Sequence, residues 1–264
     1  NAQIVNIPDA NFKAKLLAAS PTQNIAFNAS GTRIKIDTNN DGNIQVSEAL
    51  TVYQLNVASS SIQNLTGIEA FLNLISFNCS SNQLINLDVS QNTVLSSLYC
   101  ENNQLENLVL PISTTLTDIN CSYNQLENIS ISQCSSLQNF NCHNNNLTSI
   151  DISQTQTLFD IDCSFNQLTF LDLSNNPLLS TIFCNNNLIT SIQMSINGYP
   201  FILFCNNNLI EFFDMNNARV SSINLSNNPN LVSMNIKNNQ SDSIIINNTP
   251  NLQYICVDEQ ELTN

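Results

Sequence analysis

The amino-acid sequence predicts a solenoid of 21-residue units closed at its start by a small helical cap. Three observations carry this. A cysteine recurs at Cys79, Cys100, Cys121, Cys142, Cys163, Cys184 and Cys205, each 21 residues after the last. Three residues behind each stands an asparagine: Asn82, Asn103, Asn124, Asn145, Asn166, Asn187 and Asn208. A leucine follows close behind, at Leu84, Leu105, Leu126, Leu147, Leu168, Leu188 and Leu209. A fixed period of this length marks an array in which each unit buries its apolar face only against its neighbours.

Residues 1–50 lack the repeat and read as the cap. Pro8-Asp9-Ala10-Asn11-Phe12 opens a helix, because Pro and Asp suit its first turn. Phe12, Leu16 and Leu17 then share one face, and Ser20-Pro21 ends it. Next comes Asp37-Thr38-Asn39-Asn40-Asp41-Gly42-Asn43-Ile44-Gln45-Val46-Ser47-Glu48, which fits the EF-hand calcium loop. Asp37, Asn39 and Asp41 supply side-chain oxygens, Gly42 stands at the sharp turn, Asn43 offers its carbonyl, Gln45 acts through water and Glu48 closes the site with two oxygens. A hard cation that takes six to eight oxygens needs this kind of flexible cage. The expectation is one structural Ca²⁺ pinning the cap.

Residues 51–246 form the array, and residues 247–264 close it. The first copy is degenerate, with Val57 at the Cys position and Ser60 at the Asn position. A full unit runs from Leu158 to Leu178. In Ile161-Asp162-Cys163 the alternation turns Ile161 and Cys163 inward and Asp162 outward, as in a short strand. Asn166 falls where the chain bends, and an inward amide there can satisfy backbone groups that the bend would orphan. The return leg alternates again, at Leu87-Asp88-Val89, Ile150-Asp151-Ile152, Leu171-Asp172-Leu173 and Ile192-Gln193-Met194. It is too short for a long helix, so extended or 3₁₀ structure is expected. The register then slips by ten residues between Cys205 and Ile236. Phe212-Phe213-Asp214-Met215 and Ile223 to Pro229 both read there as return legs, from an inserted half-repeat or a small extra repeat, Asn239 and the Ile244-Ile245-Ile246 leg resume the pattern, and Leu252 to Val257 is a last strand with Val257 at the Cys position.

The half-unit L-x-x-I-x-C-x-x-N-x-L resembles the leucine-rich repeat with Cys in place of its third Leu. The cysteine ladder at this spacing is similar to that of internalin-type bacterial surface proteins. The Ile7-Pro8-Asp9-Ala10-Asn11-Phe12 opening and the calcium-like loop resemble exported leucine-rich-repeat proteins of the Bacteroidetes type. Internalins have a purely helical cap, so the loop is a departure. The fold so predicted is a leucine-rich-repeat solenoid, a curved right-handed superhelix with a parallel sheet on its concave face. The resemblance implies a secreted or cell-surface binding protein, often an adhesin, and no particular ligand. The chain starts Asn1-Ala2-Gln3 without Met, as a trimmed or processed start would.

Composition narrows the function. The formal net charge is -14, with six basic residues, and none of them lies between Lys35 and Arg219. Nucleic acid and anionic membranes both need positive charge, so neither is expected as a partner. No stretch reaches the roughly 18 apolar residues of a membrane helix. The ladder cysteines read as small buried hydrophobes. Parallel side chains on adjacent strands are poorly placed for disulfides. Cys134 replaces the residue that is Asn92 in an earlier unit, and Cys256 is the thiol expected outside. His143, the only histidine, follows Cys142 but points to the opposite face, so the two make no nucleophile pair. The carboxylates of Asp160 and Asp162 face outward from one strand, and an open sheet offers no closed glycosidase cleft. No catalysis is expected.

The informative positions are those expected outward, three and one before each ladder Cys and one and two after. There Tyr99, Tyr123, Phe165, Phe183 and Phe204, with Ile202, stand on a field of Asn, Ser and Asp. Exposed aromatics on a polar field mark an interaction face, although Phe183 and Phe204 could simply stack on each other across adjacent strands. Asp118, Asp160 and Asp162 would steer toward basic groups. The expected role is adhesion or protein binding by a monomeric chain. A glycan is the alternative, since aromatic faces with amides also suit sugars.

Overall fold

The computed structural model of the chain describes residues 3–194, 201–215, 218–237 and 243–258. It has two compact units, Asn1–Leu126 and Glu127–Asn264.

Unit one opens with helix α1 (Ala10–Leu17). The Asp9 carboxylate caps it by accepting from the Asn11 and Phe12 backbone N–H groups, both at 2.9 Å. Phe12 and Leu16 are fully buried. Leu17 is only half-buried and the helix stops there, before the expected Ser20-Pro21. The short strand β1 (Ala26–Phe27) and helix α2 (Val46–Ala49) complete the cap, with the acidic loop leading into α2. Then come β2 (Gln54–Asn56), β3 (Ser76–Asn78), β4 (Asn86–Asp88), β5 (Ser97–Tyr99), β6 (Asn107–Val109) and β7 (Asp118–Asn120). β1 pairs antiparallel with β2, and β2, β3, β5 and β7 continue in parallel. The return strands β4 and β6 pair separately. Two anchors tie the cap to the first repeat. Asp9 also accepts from the Gln63 and Asn64 N–H groups, at 2.8 and 3.0 Å. Gly67, at φ +107°, lies so close under Asn6 and Ile7 that a Cβ would meet Ile7 Cγ1 at 2.8 Å.

Unit two contains β8 (Asn139–Asn141), β9 (Asp160–Asp162), β10 (Phe170–Leu173), β11 (Thr181–Phe183), β12 (Ser191–Met194), β13 (Phe201–Phe204), β14 (Phe212–Asp214), β15 (Val220–Asn224), β16 (Ser233–Asn235), β17 (Ser243–Ile245) and β18 (Tyr254–Cys256). β8, β9, β11, β13, β15 and β17 form its long parallel sheet. The return strands pair as β10–β12 and as β14–β16–β18.

The core repeats the same layers in each unit. Strand centres such as Leu98, Ile161 and Ile182 are buried, and so is every ladder cysteine. The Asn column satisfies the bend. Asn166 Nδ2 donates to the carbonyls of Cys142 and Cys163 at 3.1 and 3.2 Å, while its Oδ1 accepts from Leu147 N–H at 3.0 Å. Asn187 and Asn208 repeat this one and two turns on. The ladder therefore runs from amide to backbone and back. Asn82 makes the same contacts to Val57 and Ile62 of the degenerate first copy.

Three expectations need correction. First, the residues that fill the Leu position in the last two regular copies are Ile189 and Ile210, both fully buried, while Leu188 is exposed. A bulky apolar neighbour made the outward residue look like the core one. Second, there is no ten-residue slip. Leu203 of β13 pairs with Ile223 of β15, so the long sheet advances 20 residues there, and a bulge opposite Phe201 and Ile202 puts one extra residue into β15. Leu225 takes the Cys position and Asn228 the Asn position, donating to the Cys205 and Leu225 carbonyls. Ile223 to Pro229 is thus no return leg. Third, the last strand, Tyr254–Cys256, joins the return sheet, whereas Ile244 lies in the long one. Asn239 and the tail beyond Asp258 lie outside the described residues. The return legs are extended, and the one 3₁₀ turn among the described elements is Ile68–Ala70.

Candidate interaction face and calcium loop

In the acidic loop, Asn40 and Gly42 take the left-handed conformation, at φ +61° and +75°, which wraps the chain around its own oxygens. Asp37 and Glu48 are both buried. Asp37 accepts from the Asp41 and Gly42 N–H groups at 3.2 Å. Asp41 Oδ1 accepts from Asn43 N–H at 2.8 Å, and its Oδ2 accepts from the Gln45 amide at 2.8 Å. Glu48 Oε1 takes the Thr38 N–H and hydroxyl, at 2.7 and 2.8 Å, and Oε2 takes Gln45 N–H at 3.0 Å. The nearby lysines bond to amide oxygens, Lys13 to Asn43 and Lys35 to Asn40. No trio of His, Cys, Asp or Glu converges in metal-binding geometry among the described residues. The loop's oxygens come from its carboxylates, the Asn39 and Gln45 amides and the Asn43 carbonyl. All of these donors are hard oxygens, which fit Ca²⁺ in kind.

On the outward side of unit one, Tyr99 ends β5 and is exposed. Asp118 opens β7 and accepts from the Thr117 hydroxyl at 2.6 Å. Tyr123 is half-exposed at the bend after β7. The return side carries a groove of about 930 Å³ that sequence reasoning did not reveal, with Gln63, Gln83, Asn86, Gln104 and Asn107 among its walls. Amides pair across turns there, Gln63 with Gln83 at 3.1 Å and Asn107 with Asn86 at 2.9 Å. The signal was a Gln column one residue after the Asn column, visible only once the turns are stacked.

In unit two, registration places Asp162, Phe183 and Phe204 in one row and Asp160, Thr181 and Ile202 in another. Phe183 and Phe204 stack at 5.2 Å between centroids with ring planes 14° apart, so the mutual-stacking reading is correct as geometry. Both rings, and Ile202, stay partly exposed. Asp160 Oδ1 is buried without a hydrogen-bond partner. Phe165 projects from the bend after β9 and is 48% exposed. The residue just after each ladder Cys is less outward than expected. Ser80, Ser122 and Ser164 are buried, each donating its hydroxyl to the residue two before it, Asn78, Asn120 and Asp162.

The thiols are poor chemistry. Burial pushes the Cys121 thiol up to about 12 and Cys134 to about 11, and it raises Cys79, Cys100, Cys163, Cys184 and Cys205 as well. A thiol this reluctant to ionise is a weak nucleophile. Cys142 is buried while His143 is half-exposed against Asn144, with Nδ1 3.1 Å from its amide. Cys256 is exposed.

Short parallel strands stacked turn on turn, with Leu, Cys and Asn lining the inside, define a leucine-rich-repeat solenoid with a cysteine ladder. The sequence matches no protein-family profile and no curated protein. Among solved structures it is similar to the functional domain of InlJ from Listeria monocytogenes, which includes a cysteine ladder. That match has a TM-score of 0.58 and 26% identity over 98% of this chain and 62% of the other. The LRIM1 leucine-rich-repeat domain matches at 0.62 and 18% identity, over 80% and 68% of the two chains. The LRIM1/APL1C complex matches at 0.56 and 18%, over 71% and 39%. At those identities the likeness to LRIM1 is one of fold. This chain spans less than two thirds of the InlJ chain it matches. No helix among the described residues is long and apolar enough to cross a membrane.

Proposed function

We propose that this chain is a non-catalytic binding module that recognises a protein partner through the outward residues of its long-sheet strands, outside the cell or at a bacterial cell surface. The observation that carries the reading is the aromatic set on a polar, acidic field, with Phe165 exposed and Phe183 and Phe204 partly exposed in unit two and Tyr99 and Tyr123 exposed in unit one. Core-forming aromatics in this chain, such as Phe77 and Phe140, are buried, so the exposed ones do not serve the core. Repeat solenoids commonly use the exposed positions of a fixed scaffold for recognition. LRIM1, of like fold, occurs in complex with APL1C. In this reading the acidic loop holds one Ca²⁺, with Asp37, Asn39, Asp41, Asn43, Gln45 and Glu48 as donors, and the ion rigidifies the cap.

The test is an array of extracellular proteins and polysaccharides probed with the intact chain, then with Phe183→Ala/Phe204→Ala. The expected result is a protein ligand whose binding drops with the double variant and weakens as salt rises. Ligands found only among neutral polysaccharides, with no salt dependence, would overturn the protein-partner reading. A protein ligand indifferent to the double variant and to Tyr99→Ala would move the site off this face.

A further inference from the structure

The position two residues after each ladder Cys has an unusual backbone. Ser81, Asn102, Tyr123, Asn144, Phe165, Asn186 and Asn207 all have φ between +51° and +57°. The bend imposes this whatever the side chain. N–H groups of the column reach carbonyls one turn on, from Asn144 to Ser164, from Phe165 to Asn185 and from Asn186 to Asn206, at 3.0–3.1 Å. For an L-residue this left-handed conformation presses Cβ against the following carbonyl, and Asn tolerates it best after Gly. Asn is accordingly the commonest residue of the column. Phe165 is a costly choice, and burial does not offset the cost, because the ring is 48% exposed. Strain held without a return in packing is a mark of a functional position.

The surroundings indicate what the ring meets. Asp162 closes the strand from which Phe165 projects, and the partly exposed Phe183–Phe204 stack continues the Asp162 row. Asp160, on the same strand, is partly exposed. Between Lys35 and Arg219 the chain has no basic residue to neutralise them. Ring faces beside carboxylates complement a guanidinium or ammonium group, which gains from both. Acidic ligands meet only repulsion there.

We propose that this face of unit two docks a basic protein segment, an Arg or Lys flanked by an apolar residue, and that Phe165 is its anchor, kept at the expense of stability. The proposal rests on the protein-binding reading above. The test has two parts. In the first, Phe165→Asn, which installs the column's usual residue, is melted beside the parent. The melting temperature is expected to hold or rise, and a drop of several degrees, repeated in Phe165→Ala, would make the ring structural and overturn the anchor. In the second, a random dodecapeptide library is selected on the intact chain. Enriched peptides are expected to carry Arg or Lys beside an apolar residue. They should lose about tenfold or more in affinity on Phe165→Asn and on Asp160→Asn/Asp162→Asn. Enriched peptides that lack basic residues yet fail on Phe183→Ala/Phe204→Ala would overturn the cationic occupant while leaving the face as a protein site. Peptides indifferent to every outward substitution would overturn both.

Discussion

At the scale of single residues, the solenoid depends on side chains that serve the backbone. Asn166 holds two carbonyls and one N–H that the bend would otherwise leave buried and unpaired. Replacing it with Ala should cost about 2–4 kcal/mol, since unpaired buried groups forfeit their full desolvation energy. The exposed Asn146→Ala should stay within about 0.5 kcal/mol. Urea denaturation with an unchanged m-value checks both. Asp9 works the same way with a charge. Burial pushes its carboxyl up, but N–H groups from Phe12, Gln63, Asn64 and Asn11 outweigh this and hold it below the usual carboxylate range. Its contribution is therefore complete above about pH 4, the ordinary Asp value, and is lost as pH falls through the lowered one. Melting curves of the parent and Asp9→Asn should stand apart at pH 6 and converge toward pH 2.5. Curves that stay equally far apart would mean that the carboxylate's charge is not what matters.

At the scale of elements, the acidic loop and the cap contact were legible to different degrees. Six oxygen-bearing residues at fixed spacing, with Gly42 at the turn, can be read from sequence because the loop is local. Gly67 could not be read, because the Asn6–Ile7 segment that crosses it is sixty residues away in the chain. Gly67→Ala should cost about 1–3 kcal/mol from overpacking alone, more with its positive φ, and should show as a lowered urea midpoint. If the loop holds Ca²⁺, excess chelator should lower the melting temperature and added Ca²⁺ restore it, while Asp37→Ala/Glu48→Gln should abolish that response. A parent curve blind to both additions would dismiss a structural ion. The mistaken register slip also belongs to this scale. Where Leu225 replaces Cys and the turn shortens to 20 residues, the Cys column ends although the strands continue.

At the scale of the whole molecule, the chain contains nine cysteines, of which Cys256 is exposed and the rest are buried. A thiol reagent should therefore modify about one site per folded chain and nine in denaturant, with Cys256→Ser removing the folded-state signal. Reaction of the ladder thiols at the rate of Cys256 would contradict their burial. Because burial raises the thiol pKa values, the unfolded chain loses its thiol protons first as pH climbs. Stability contributed by the buried thiols is thus fully present below about pH 8.5 and declines above it, each thiol adding up to about 1.4 kcal/mol per pH unit. Unfolding midpoints measured between pH 7 and 10 should show the decline.

The sequence by itself determined the architecture. A 21-residue period of Cys, Asn and Leu admits one solution, because each of those side chains is needed inside at the same point of every turn and a single strand cannot bury its apolar side alone. It also determined which side of the strands stays outside, and hence most of the candidate face. Tertiary structure decided what local pattern does not encode. The stacking of turns chose Ile189 over Leu188 for the core, drew Ser80, Ser122 and Ser164 inward and sent Tyr254–Cys256 to the return sheet. It also set Phe165 in a left-handed bend that its own chemistry resists. That bend comes from hydrogen bonds to the following turn, and such bonds exist only once the neighbouring turn is in place.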